Sequence, residues 1–292
     1  MAVLSIQSHV VYGYAGNTAA VFPLQRLGRE VWAVNTVEFS NHTGYGAWRG
    51  QVLDPALPGE LVLGLEERGV LGKCEALLSG YMGAPEAGLA VINAVRKVRS
   101  LNPNALYCCD PVMGDVGRGF YVKPGIPEIF KKDVIPLADI VTPNQFELEA
   151  LTGLDTSSLP GVRKAIAAIH ARGPKVVLVT SFREGLRPLD PEARSPGDHL
   201  DMLASDGNSL YRTRTPELPF EAGMAGSGDL TAAVFLSQYL KTRDLRQTLE
   251  AVTASVYGIM EATFKAQSRE LFIIQAQEEL VSPSSLFEAV LC

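Results

Sequence analysis

The run Ala225-Gly226-Ser227-Gly228-Asp229-Leu230 opens a stretch of helical period. Small residues let a backbone approach a ligand closely, and the first N–H groups of a helix have no internal acceptor. Those donors and the helix dipole make an anion site. Asp229 falls in the first turn, beside the place of the anion, where the dipole favours its ionised form. Taken alone, it could simply complement that dipole. Two further motifs follow apolar, strand-like runs. Asp110-Pro111-Val112-Met113-Gly114-Asp115 sets Asp110 at a strand's carboxyl edge, where α/β proteins bind ligands. Thr142-Pro143-Asn144-Gln145-Phe146-Glu147 puts an amide and a carboxylate on one side of a first helical turn. The pair suits a hydrated magnesium ion bridging nucleotide phosphates. Read alone, it is first a helix cap with an acidic first turn.

Two aromatic and polar clusters stand nearer the amino terminus. Ser8-His9-Val10-Val11-Tyr12-Gly13-Tyr14-Ala15-Gly16-Asn17 is expected to join the first strand to the first helix. Phe39-Ser40-Asn41-His42-Thr43-Gly44-Tyr45-Gly46 is expected to follow the second strand. Hydroxyls and rings at adjacent strand ends suit a small, flat, polar ring. His9 and His42 read first as hydrogen-bonded turn residues rather than catalysts.

To gather these groups on one edge, the strands must run the same way. Residues 2–7, 31–37, 75–79, 105–109, 139–142 and 175–180 are short apolar runs bounded by turn residues, which predicts buried parallel strands. Between them, residues 86–99 bring Ala87, Val91, Val95 and Val98 to one helix face. Residues 161–172 do so with Val162, Ile166 and Ile169, before Gly173-Pro174 ends the helix. Leu249, Val252, Val256 and Ile259 keep the same spacing later. This alternation predicts a three-layer α/β/α sandwich around a mostly parallel central sheet. Residues 200–204 and 209–214 predict a hairpin around Asp206-Gly207. Segment 183–199, with three prolines, two glycines and mixed charge, is too polar to pack and is expected to be a lid inserted in one domain spanning residues 1–292.

The 26 basic residues against 32 acidic ones give the chain a net charge of −6, which argues against nucleic acid and against an anionic membrane surface. No run approaches 18 consecutive apolar residues, so none is expected to span a bilayer. The first residues lack the basic region of a signal peptide. Cys74, Cys108, Cys109 and Cys292 lack metal-ligand spacing and read as reduced thiols of a cytoplasmic protein, Cys108 and Cys109 facing opposite sides of one strand.

In this order, Ser5-Ile6-Gln7-Ser8-His9-Val10, Gly16-Asn17, Phe39 to Gly44, Ser79-Gly80-Tyr81, the Asp110 and Thr142 motifs with Glu147, and Gly226-Ser227-Gly228-Asp229 make the chain resemble the pyridoxal kinases of the ribokinase superfamily. The resemblance covers essentially the whole length, and the two amino-terminal clusters are its most specific part. It implies a ribokinase-like fold and ATP-dependent phosphorylation of the hydroxymethyl group of pyridoxal, with pyridoxine and pyridoxamine as further acceptors, in vitamin B6 salvage. It also implies Mg2+, a monovalent cation such as K+, and a cytoplasmic homodimer. By position, Ser8, Thr43, Gly44 and Tyr81 match vitamin contacts. Asp110, Thr142, Asn144, Glu147, Thr180 and Ser181 match nucleotide contacts, and Asp110, Asp115 and Glu147 the metal positions. Thr215, Pro216, Glu217 and Leu218 match the adenine side. Asp229 matches the general base, and Gly226, Ser227 and Gly228 the anion hole, with Ser227 where the superfamily often has threonine. Two alternatives stay open: a hydroxymethylpyrimidine kinase of the same superfamily, and a non-catalytic carrier of pyridoxal phosphate, which would need neither Asp229 nor an ATP site.

Overall fold

The computed structural model describes residues 2–190, 198–220 and 223–292. Each apolar run expected as a strand forms one. The strands are β1 (Ala2–Tyr12), β2 (Glu30–Asn41), β3 (Gly50–Val52), β4 (Cys74–Ser79), β5 (Leu106–Cys109), β6 (Gly114–Asp115) and β7 (Gly119–Phe120). They continue through β8 (Ile140–Val141), β9 (Val176–Phe182), β10 (His199–Ser205), β11 (Leu210–Pro216) and β12 (Val290–Leu291). Strands β6 and β7 pair only with each other; the rest form one ten-stranded sheet in the order β12-β11-β10-β9-β8-β5-β4-β1-β2-β3. Its centre, β2 to β9, is parallel, and both edges are antiparallel.

The helices are α1 (Asn17–Arg26), α2 (Leu57–Glu67), α3 (Pro85–Leu101), α4 (Ile126–Ile129), α5 (Gln145–Thr152), α6 (Leu159–His170), α7 (Ser227–Thr242) and α8 (Leu245–Lys265). The two-residue period of the strands divides the core between two faces of the sheet. Leu4, Ile6, Leu77 and Cys109 pack against Val95 of α3 and Ile166 of α6. Val3, Leu78 and Cys108 pack against Leu24 of α1, Leu236 of α7 and Val252 of α8. Cys108 and Cys109 therefore take opposite faces, and all four thiols are free. Burying one such aliphatic side chain stabilises by roughly 1.5–3 kcal/mol, so both helical layers hold the sheet. Three layers result, as the alternation predicts.

Parallel pairing brings the carboxyl ends of β1, β4, β5, β8 and β9 to one edge. The chain leaves β1 in both directions, toward β2 and toward β4, and a crevice opens at such a switch point. Strands β1 and β2 run further than expected. Residues 8–12 and 38–41 are not connecting turns but continue the ladder past a register shift between Gln7 and His9. Backbone pairing does not depend on side-chain polarity, so a polar sequence extends a strand where its neighbour supplies the ladder.

Of the expected insertion 183–199, residues 191–197 lie outside the described residues. The part before them is largely exposed but anchored at a few points. Arg183 pairs with Glu217 at 2.7 Å, the Gly185 N–H donates to the Ser157 carbonyl, and Leu186 is buried. Arg183 and the Gly185 N–H are held because each finds a partner, and Leu186 because it is apolar. His199 already belongs to β10, and the hairpin it opens forms as predicted. Among the described residues, no helix is long and apolar enough to cross a membrane.

Candidate active site

A cavity of about 490 Å³ lies along the carboxyl edge of the parallel strands. One end takes Ser8 from β1, Thr43 and Gly44 from the turn after β2, and Tyr81 from the loop after β4. The middle takes Asp110, Asp115, Thr142, Asn144 and Glu147, from the segments after β5 and β8. Thr180 and Ser181 of β9 and the Gly226-Ser227-Gly228-Asp229 start of α7 complete it.

The first end has a polar rim over an apolar floor. Ser8 is buried, and Gly16 packs so tightly on it that a Cβ there would overlap the serine. Val10, Ala15, Val37 and Phe39 cluster beneath, with Tyr81 packed against them. His42 Nδ1 accepts the Gly44 N–H at 3.1 Å, capping the turn Thr43–Tyr45. Burial and the nearby Arg118 charge hold its imidazole below the usual range, against the opposing pull of Glu270. His9 lies outside this cavity and pairs with Glu38 at 2.6 Å. His42 is thus the hydrogen-bonded turn residue expected, whereas His9 belongs to β1 and pairs across to β2.

At the start of α7, Gly226 is left-handed, with φ of 80°. A side chain there would also collide with the Tyr14 carbonyl, so both the turn and the close approach require glycine. No side chain caps this helix. The Ser227 hydroxyl donates to the Met224 carbonyl at 3.0 Å, leaving the first-turn N–H groups for an anion. Among the described residues, Asp229 Oδ1 is buried without a partner. Burial raises the carboxyl pKa to about 6, although the Gly16 N–H and its own N–H pull it down. The expectation that the helix start would favour the ionised form is thus reversed, because lost hydration outweighs the dipole.

Asp110 is 3% exposed. Its Oδ1 accepts the Thr142 hydroxyl at 3.0 Å, while Oδ2 has no partner among the described residues and faces Gly228. Glu147 accepts the Met113 N–H and the Asn144 N–H, each at 2.9 Å. Asn144 Oδ1 in return accepts the Glu147 N–H, completing a capping box, and its amide donates to the Gly114 carbonyl. The cap reading of this pair is therefore realised in full, though each Glu147 oxygen keeps a second lone pair. Burial pushes the Asp110 and Glu147 carboxyls well up, and neighbouring carboxylates add to this. Asp115 is raised by burial too, against the Val116 N–H, Arg118 and Arg183. Among the described residues no three Asp, Glu, His or Cys side chains converge closely enough to hold a metal outright. The orphaned Asp110 oxygen amid buried acids still fits a hydrated divalent cation held by few protein oxygens.

Thr215, Pro216, Glu217 and Leu218 do not line the cavity. Thr215 bonds the Leu200 carbonyl and Glu217 is bound by Arg183. Leu200 and Met202 of β10, Met224, and Val256 and Met260 of α8 form an apolar wall of the cavity. Their spacing matches ordinary core, which is why the sequence did not single them out. Arg118 and Tyr121, on and after the β6–β7 hairpin, also line the cavity and were missed. The glycines flanking Arg118 were the available signal. Ser181 sits in β9 with φ of 56°, a strained conformation of the kind found at binding sites.

The family model described as phosphomethylpyrimidine kinase matches residues 80–272. The pyridoxal kinase PdxY of Granulibacter bethesdensis is 49% identical over 296 residues, covering 100% of both chains. That of Rubrobacter xylanophilus is 51% identical, covering 98% of this chain and 95% of its own. Among solved structures, pyridoxal kinase from Leishmania donovani in complex with ADP and pyridoxamine aligns with a TM-score of 0.89 at 29% identity, over 99% of each chain. Plasmodium falciparum PdxK with AMP-PNP and PL aligns at 0.84 and 26% identity, over 99% and 98%.

Proposed function

The chain belongs to the pyridoxal kinase family, and from that premise we infer how its cavity carries out ATP-dependent phosphorylation of the hydroxymethyl group of pyridoxal, pyridoxine or pyridoxamine in vitamin B6 salvage. One observation carries the inference: Asp229 and its donor turn share a single cavity with Ser8, Thr43 and Tyr81. The vitamin ring lies at the Ser8 end, on the apolar floor, with its hydroxymethyl group toward Asp229. A primary hydroxyl is a poor nucleophile, so Asp229 accepts its proton as it attacks the γ-phosphate. The raised carboxyl pKa makes Asp229 a better base than an exposed aspartate, and it is still ionised at neutral pH. The first-turn N–H groups of Ser227 and Gly228 stabilise charge on the transferring phosphoryl group.

Asp110 would hold magnesium directly, with Glu147 and Asp115 acting through its water. The ion would neutralise phosphate charge that these acids otherwise repel. Thr142, Asn144, Thr180 and Ser181 border the nucleotide phosphates, and the Met202, Met224 and Met260 wall accommodates adenine. Nothing among the described residues singles out a seat for a monovalent cation. We assign the residues 1–292 to one kinase domain in the cytoplasm. A second copy of the chain would cover Val11 and Tyr12, 74% and 63% exposed, giving a homodimer, which light scattering would test.

Phosphorylation of hydroxymethylpyrimidine is the competing activity, and the family model's description points there. That match begins at residue 80, however, beyond Ser8, Thr43 and Gly44, the residues that would choose the ring. Comparison of kcat/KM for pyridoxal and hydroxymethylpyrimidine, read as ADP release, decides the question. We expect pyridoxal to be at least as good; a clear preference for the pyrimidine overturns the assignment. A passive carrier would release no ADP from ATP, magnesium and pyridoxal.

A further inference from the structure

Glu270 lies behind the cavity wall, in a second, open cavity of about 790 Å³ on the other side of the β1–α1 turn. It follows α8, in a short segment closed on itself. The Ser268 hydroxyl donates to the Glu270 carbonyl at 2.6 Å and accepts the Glu270 N–H at 3.0 Å. The next residue, Leu271, is anchored in the core. From this base the Glu270 carboxylate reaches two turns that are distant in sequence. Oε2 accepts the Tyr14 N–H at 3.1 Å, and Oε1 accepts the Tyr45 hydroxyl. Arg269 places its guanidinium over the Tyr45 ring, 5.0 Å from the centroid. Gly13 is left-handed and has the carboxylate where its Cβ would stand.

Neither Tyr45 nor Glu270 lines the catalytic cavity, but the turns they hold do. Tyr45 ends the turn that offers Thr43 and Gly44. Tyr14 begins the turn that offers Ala15 to the cavity and sets Gly16 against Ser8. The two turns come from opposite sides of the ring end, and we propose that Glu270 is a positioning residue that clamps them together and thereby sets affinity for the vitamin. The β1–α1 turn also abuts Gly226 through the Tyr14 carbonyl, but neither turn supplies the apolar nucleotide wall, so the clamp acts first on vitamin geometry. Ion-assisted hydrogen bonds of this kind are stronger than neutral ones, and small misplacement of binding groups has large effects.

The proposal rests on the kinase reading, so the experiment measures binding and turnover separately. Pyridoxal binding is followed by its absorbance without ATP, and steady-state kinetics by ADP release, for wild type, Glu270→Ala, Glu270→Gln and Tyr45→Phe. Glu270→Ala should raise the pyridoxal Kd and KM by ~10-fold or more, leaving the ATP KM within about twofold. Gln can still accept the Tyr14 N–H and donate to the Tyr45 oxygen, so Glu270→Gln should recover most of the affinity. Tyr45→Phe should weaken pyridoxal and add little more when combined with Glu270→Ala. A Glu270→Ala pyridoxal affinity equal to wild type overturns the proposal. So does an equal loss toward both substrates accompanied by a lower Tm, the pattern of a merely structural residue. If wild type binds pyridoxal but releases no ADP, the kinase reading fails while the clamp is still decided by the binding data.

Discussion

At Asp229 two electrostatic effects oppose each other. The helix start and the Gly16 N–H favour the carboxylate, whereas lost hydration disfavours it and moves the pKa from 3.8 to about 6. Because the folded value lies above the unfolded one, the protonated form is the one folding favours. That stabilisation is complete below the unfolded pKa and is lost as pH rises through about 6. At about pH 8 the ionised group therefore costs stability, on the order of 1–3 kcal/mol. Asp229→Asn should cut kcat by ~10²–10⁴ yet raise Tm at about pH 8, the gain shrinking as pH falls through about 6 and vanishing only below the unfolded pKa of 3.8. An asparagine variant that keeps its turnover would return Asp229 to a helix-start role. In the wild type, kcat should climb with pH through about 6 and level off above it; a flat profile across that range would place the base elsewhere. The position of Asp229 was legible from its glycine-rich surroundings. Its charge balance was not, since burial depends on what the rest of the chain lays over it.

Among the elements, the start of α7 is the most sharply constrained. Gly226 combines φ of 80° with direct contact on the Tyr14 carbonyl, whereas Gly117, at φ of 72°, has open space where a Cβ would go. Gly226→Ala should cost well over the ~1 kcal/mol of left-handed strain alone, and should weaken ATP by displacing the anion turn. Gly117→Ala should show only that strain and leave the ATP KM unchanged. Thermal melts beside ATP titrations separate the two; equal effects would mean that the Tyr14 contact is unimportant. Pattern and turn chemistry placed α7, α3 and α6 because amphipathic period and stop signals are local. They stopped β1 and β2 too early, since residues 8–12 and 38–41 owe their strand form to each other. The same limit hid the Arg183–Glu217 pair that anchors the start of residues 183–190.

Across the whole molecule, the cavity exists only where the edge of the sheet, α7 and α8 meet, so its ligands bind the native state and not the unfolded chain. Nucleotide at about 100 times its Kd should add ~2.7 kcal/mol of stability, a Tm rise of several degrees. Adding pyridoxal should raise Tm further, because it occupies the other end. No shift with either ligand would mean that this cavity is not their site.

The amino-acid sequence alone determined the alternation of strands and helices, the division of Cys108 and Cys109 between two faces, and the phosphate-side motifs, because periodicity and turn chemistry act over a few neighbouring residues. Only the tertiary structure decided that Glu147 also binds the Met113 N–H, that Met202 and Met260 wall the cavity, and that Glu270 joins two turns of the ring end. Each of these depends on contacts between residues far apart in the chain, or on the water that those contacts exclude, and neither is written in local spacing.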